Sequence, residues 1–120
     1  QLLFRYFLLI LRYIKKTVMT YQEKIKESKK IHESITSLGV KEEIKVTYGV
    51  DRIGKPAEYI IRAYSGFRGE NSYSISEANS FMGRSMNVDK ITNTMLKCYS
   101  FDLMGQKTTY NFPLYLFKIV

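Results

Sequence analysis

The sequence predicts an α+β domain: an antiparallel sheet of about four strands, covered on one face by a long N-terminal helix and a short second helix. Three observations carry that expectation. Val18, Tyr21, Ile25, Ser28, His32 and Ile35 recur at spacings of three and four, which puts them on one helix face. From Ile44 onward the pattern switches to period two, the signature of half-buried strands. At 120 residues and 45% hydrophobic content, the chain can build one core and carry an arm.

The arm is residues 1–16, and residues 17–120 read as a single α+β domain. Leu2, Leu3, Phe4, Phe7, Leu8, Leu9, Ile10, Leu11 and Ile14 make the arm strongly apolar, but Arg5 and Arg12 interrupt it. A transmembrane helix needs about 20 apolar residues. Arg5 and Arg12 are seven positions apart and share a helix face, so the arm is amphipathic with a narrow polar stripe. Such a broad apolar surface is expected to be buried in a partner through Phe4, Phe7, Leu8 and Leu11. Lying on a membrane is the alternative. No small-residue cleavage site follows, which argues against a signal peptide.

The long helix follows, with Ser28 and His32 as weak points on its apolar face. Lysines at 15, 16, 24, 26, 29 and 30 make its other side basic. Leu38 closes the last turn, and Gly39 is expected to supply the left-handed residue that ends the helix. Ile44, Val46 and Tyr48 alternate with Lys45 and Thr47; Gly49 to Ala57 is turn-like; Glu58 to Tyr64 alternates again. The two runs should form an antiparallel hairpin, since the connection is too short for a crossover. A polar loop from Ser65 to Asn71 comes next. Ser74 and Glu77 have capping-box spacing, predicting a short helix that carries Ala78, Phe81 and Met82 inward and ends at Gly83. Asn87 to Asn93 fits either a loop or a helical turn. Met95 to Leu103 alternates as a strand, Gly105-Gln106 turns, and Thr108 to Ile119 is a final strand in which Pro113 marks a bulge or an edge.

Charge narrows the function classes. Nineteen Lys and Arg against eleven Asp and Glu give a net charge of +8, which favours a polyanionic partner such as nucleic acid or an anionic membrane. Cys98 has no second cysteine to pair with and no metal-ligand spacing around it, so it reads as a small core hydrophobe. His32 stands alone among lysines and glutamates. No carboxylate pair sits at a spacing that suggests acid–base work, and zinc spacing, a phosphate loop and a nucleophile elbow are absent from the sequence. The chain therefore reads as a non-enzyme needing no cofactor and no metal. Basic residues instead sit in the loops: Arg52 and Lys55 in the first turn, Arg68 between two glycines, Arg84 after Gly83, and Lys107 beside Thr108 and Thr109. Loop cations next to hydroxyls are what contacts to a phosphate backbone use. Tyr48, Tyr64, Tyr73 and Tyr110 are candidates for stacking on bases, although tyrosine serves more often as a sheet residue.

Several of these motifs occur in an order that resembles a known family. Ser65-Gly66-Phe67-Arg68-Gly69-Glu70 is similar to the Ser-Gly-Arg-Leu-x-Gly-Ala-Glu loop in the C-terminal domain of the third protein of the small ribosomal subunit. Gly83-Arg84 stands where that family has Gly-Arg or Gly-Lys. Lys97 then matches a basic strand residue, and Thr108-Thr109-Tyr110 leads into the alternating run Leu114 to Ile119. Leu38-Gly39-Val40 followed by Ile44-Lys45-Val46 also resembles the family's helix-to-strand step. The resemblance spans about residues 35–120. It implies a structural constituent of the small subunit that binds ribosomal RNA and neighbouring ribosomal proteins, with Arg68, Arg84, Lys97 and Lys107 facing the RNA. The family's KH half, with its Gly-x-x-Gly clamp, has no counterpart here, so a separate chain is expected to carry it. The abundance of Tyr, Phe, Lys, Ile and Asn suggests an AT-rich organellar genome, hence a mitochondrial ribosome. The rival expectation is an accessory subunit of an inner-membrane-associated complex, anchored through the apolar arm. The two differ in where cations gather: Arg68, Arg84 and Lys107 form one surface in the first, and scatter in the second.

Overall fold

The computed structural model describes residues 19–49, 57–78 and 84–120. The arm, with Phe4, Phe7, Leu8 and Leu11, lies outside these residues, as do Arg52 and Lys55 in the first turn. Among the described residues one helix, α1 (Tyr21–Thr36), precedes seven strands: β1 (Glu43–Tyr48), β2 (Ala57–Ser65), β3 (Asn71–Glu77), β4 (Ser85–Ile91), β5 (Met95–Phe101), β6 (Lys107–Pro113) and β7 (Phe117–Ile119). Within these residues, no helix is long and apolar enough to cross a membrane.

Helix α1 starts at Thr20, whose hydroxyl accepts from the Glu23 N–H at 3.2 Å and so satisfies one of the first-turn donors. Thr20→Ala should lower stability by about 1 kcal/mol in a urea titration; an unchanged midpoint would mean that water replaces the cap without loss. The buried stripe of α1 is Ser28, Ile31 and Ile35, while Tyr21 and Ile25 are exposed. The inward face is therefore rotated from the expected one. The helix ends at Ser37, whose N–H reaches Glu33 O and Ile35 O. Gly39 is not left-handed. Its N–H is held by Glu42 Oε2 at 2.8 Å, and Lys41 takes the positive φ of 72° instead.

All neighbouring strands run antiparallel, in the order β6-β5-β4-β3-β2-β1-β7. Five consecutive pairings, β1 to β6, thus make a meander, and β7 returns to pair with β1. In a flat sheet β6 and β7 would stand six spacings apart, about 29 Å. The only link is a 3-10 turn of three residues, Leu114–Leu116, which spans about 6 Å. The sheet must therefore curl, and it forms a half-barrel. Leu114 N–H donates to Thr94 O at 2.9 Å and Gly49 N–H to Leu116 O at 3.2 Å, so the turn ties the β4–β5 connection to the end of β1.

The expectation of about four strands and two helices is therefore wrong, in three places. The segment read as a capping box lies in β3: Tyr73 and Ile75 face inward, Ser72, Ser74 and Ser76 outward, and Ile75 is fully buried between Ile61 and Met86. Ala78 donates its N–H to Glu58 O at 2.9 Å, and Phe81, Met82 and Gly83 fall outside the described residues. Asn87 to Asn93, left open between loop and helical turn, contributes most of strand β4. The single final strand is in fact β6, the 3-10 turn and β7, placed at opposite sheet edges. The β1–β2 hairpin is present, pairing Val46 with Tyr59 and Ile44 with Ile61.

The core fills the concave face. Val46, Ile61, Ile75, Met86, Leu96, Cys98, Phe112 and Phe117 come from the sheet, and Ile31, Ile35 and Leu114 close over them. Burial pushes the Cys98 thiol from its ordinary 9.0 up to about 12. Burial also raises Tyr48, helped by the neighbouring Tyr115 and Tyr59, and it raises Tyr59, helped by Glu77. Each acid is held neutral in the fold and ionises at lower pH in the unfolded chain. Their contribution is whole below the unfolded values and is lost as pH rises through the folded ones. The urea midpoint should stay level between about pH 7 and 8.5 and fall above about pH 9. A midpoint still level at about pH 10.5 would contradict this.

Candidate nucleic-acid interface

The convex face of the sheet divides by charge. On β1 and β2 the outward cations are neutralised: Arg62 Nε lies 2.7 Å from Glu43 Oε2, and Lys45 Nζ lies 3.4 Å from Glu58 Oε2. On β3 the outward residues are three serines. On β4 to β6 the outward residues are Asn87 and Lys90, Lys97, Tyr99 and Phe101, then Lys107, Thr109 and Asn111. Lys90 and Lys97 make no ion pair with any described residue.

A β-bulge creates this arrangement. Val88 pairs with Cys98, but the next pair is Lys90 with Lys97, and Asp89 is the extra residue. Without the bulge, Asp89 would oppose Lys97 in an opposite-charge pair. The bulge is required because Val88 and Ile91, three apart, both pack inward, and Ile91 pairs with the buried Leu96. Core packing thus sets two lysines directly across from each other, a pairing that destabilises a sheet unless an anion offsets it. Lys97 continues to Asn111 on β6, and one step along, Tyr99 stands between Asn87 and Thr109. Lys107 Nζ sits 4.8 Å from the Tyr99 ring centroid, a cation–π contact that holds the ammonium over the ring next in line to Lys97 on the same face.

The expected site residues are distributed as follows. Lys97 and Lys107 share the convex patch. Arg84 precedes β4, at the same end of the sheet as the β5–β6 hairpin, but its Nη1 donates to the Tyr110 hydroxyl at 3.1 Å on the concave rim. Arg68 lies in the β2–β3 connection, at the opposite end of β3, exposed and with φ of 72°. Arg68, Arg84 and Lys107 therefore do not form one surface; they scatter, as the accessory-subunit reading expects, and the case for RNA passes to the lysines of β4 to β6. The Ser65-Gly66 step has a clear steric reason: Gly66 N–H donates to Glu70 O at 2.7 Å, and a Cβ there would collide with Ser72 Oγ and press on the Glu70 carbonyl. Of the candidate stacking tyrosines, Tyr48, Tyr73 and Tyr110 pack against the core, and Tyr64 is exposed. Lys90 was missed because its strand was not recognised. The three-residue spacing from Val88 to Ile91 was the available signal.

Among the described residues no group of three His, Cys, Asp or Glu side chains could hold a metal ion. No family model, curated protein or solved structure matches this chain. The functional reading therefore rests on the patch itself and on the motif resemblance.

Proposed function

We propose that this protein is a non-catalytic structural constituent of a mitochondrial small ribosomal subunit, and that it binds ribosomal RNA through the convex face of β4 to β6. The observation that carries the proposal is the Lys90–Lys97 pair, held in opposition by the bulge and flanked by Lys107. Three lysines fixed by strand register, interleaved with amide, hydroxyl and aromatic groups, suit a phosphate backbone lying over β4 to β6. Of the acids nearby, Asp89 makes no ion pair with any of them and Asp102 is engaged by backbone N–H groups. The ribosomal assignment comes from the motif order Ser65-Gly66, Gly83-Arg84, Lys97 and Thr108-Thr109-Tyr110. Neighbouring ribosomal proteins, and a separate chain with the KH half, are the partners it implies.

The test is sedimentation of an organelle extract through a gradient while tracking this chain, with a parallel high-salt wash of membranes. Co-migration with small subunits and release by RNase are expected. Retention on membranes after the wash, with no response to RNase, would replace the proposal by the accessory-subunit reading, with the apolar arm as the anchor.

A further inference from the structure

We infer that the β5–β6 hairpin tip recognises unpaired nucleotides, with Leu103 and Met104 entering a bulge or loop while the neighbouring lysines hold its phosphates. The inference rests on the RNA-binding reading and specifies which RNA the patch selects.

Leu103 and Met104 are 107% and 92% exposed, and Phe101 is 61% exposed beside them. Hairpin tips are ordinarily built of Gly, Asn and Asp, so consecutive large apolar side chains at a tip need a partner. The tip is also held rigid. Asp102 Oδ1 accepts from Met104 N–H at 2.9 Å and Gln106 N–H at 2.8 Å, and Gly105, at φ of 77°, donates its N–H to Asp102 O at 3.0 Å. These bonds present both side chains to solvent without further ordering. They also engage the tip's only carboxylate with backbone donors, which weakens its repulsion of an anion.

Behind the tip, Tyr99 and Phe101 meet edge to face at 5.7 Å, with Lys107 over Tyr99. Apolar tip, aromatic shoulder and cationic face follow one another along a single strand face. An unpaired nucleotide segment offers the matching groups: a base to be wedged or stacked, and phosphates on either side. A fully paired helix offers phosphates, 2′-hydroxyls and polar groove edges but no open base face, and leaves Leu103 and Met104 unpartnered. A lipid surface would engage the tip and Lys107. Lys97, four residues behind Phe101, would then sit about 14 Å back, beyond a Debye length of about 8 Å. A nucleic acid laid along the strand reaches all three lysines.

The experiment uses the full chain and two RNA hairpins that share a stem, one fully paired and one with a short bulge containing 2-aminopurine. The wild-type protein should prefer the bulged hairpin by about tenfold and change the 2-aminopurine fluorescence. The double variant Leu103→Ser/Met104→Ser should lose that preference and the fluorescence change. It should keep its affinity for the paired hairpin, its salt dependence and its melting temperature, because both side chains are outside the core. A double variant that still prefers the bulge overturns the inference. So does a wild-type protein that binds both hairpins equally with a steep salt slope, and in that case the RNA-binding reading survives. Absence of salt-dependent binding to either RNA removes both. Loss of binding to phosphatidylserine vesicles in the double variant, with RNA preference unchanged, would make the tip a lipid contact.

Discussion

Phe117→Ala is expected to lower the unfolding free energy by about 3–5 kcal/mol, the largest loss of any single truncation in the sheet. Phe117 is 1% exposed and opens β7. Its ring lies 4.8 Å from Tyr48 and 5.9 Å from Phe112, centroid to centroid. Tyr48 belongs to β1 and Phe112 to β6, which are separated by four strands in sheet order. The ring therefore fills the space where the curl brings distant strands together. Removing it leaves a cavity that cannot collapse without uncurling the sheet, because the three-residue turn fixes the separation of β6 and β7. A domain of this size has about 5–15 kcal/mol of stability in total. The melting temperature should fall by more than about 10 °C. Phe67→Ala, at a 90% exposed ring, is the control and should change stability by less than about 0.5 kcal/mol. Equal effects of the two substitutions would mean that the curl is not held by this aromatic cluster.

That cluster also shows which parts of the fold could be read from the sequence. Helix α1, the β1–β2 hairpin and strand β5 announce themselves by local period, since each has one face packed on the core. The split of Thr108 to Ile119 into β6, turn and β7 does not, because both halves are apolar and aromatic and only the tertiary curl sends them to opposite edges. In β3, a Ser and a Glu at capping spacing competed with the alternation Tyr73, Ile75, and burial of Ile75 against Ile61 decided the outcome. That one misreading had a consequence for the site. In a meander, successive loops alternate between the two ends of the sheet. A helix in place of β3 would let Arg68 and Arg84 meet; a strand there holds them at opposite ends of the sheet. In β4 the alternation breaks at Asp89, and a pattern of period two cannot register an extra residue. Lys90 could be found only once the inward demands of Val88 and Ile91 were considered together.

The bulge makes a second prediction, in which binding and stability should move in opposite directions. The triple variant Lys90→Gln, Lys97→Gln and Lys107→Gln removes three cations from the convex patch. With about 1 kcal/mol for each charge-assisted phosphate contact, RNA affinity should fall by roughly a hundredfold. The slope of log affinity against log salt should become shallower by about 2–3, since each lost contact releases fewer counterions. Stability, read on the double variant Lys90→Gln/Lys97→Gln, which leaves the Lys107–Tyr99 cation–π contact in place, should not fall with it. Lys90 and Lys97 are directly opposed, and replacing them with amides relieves a like-charge pair, which is worth a few tenths of a kcal/mol in favour of the fold. A charge-matched control on exposed lysines elsewhere, Lys26→Gln, Lys29→Gln and Lys118→Gln, has the same net charge but leaves the patch intact. If affinity depended on net charge alone, both triple variants would lose it equally, and the patch would have no special role. If the double variant Lys90→Gln/Lys97→Gln lost stability together with affinity, the two lysines would be supporting the sheet rather than waiting for an anion. A steep loss of binding with the fold slightly strengthened is the outcome that a bulge-enforced lysine pair requires.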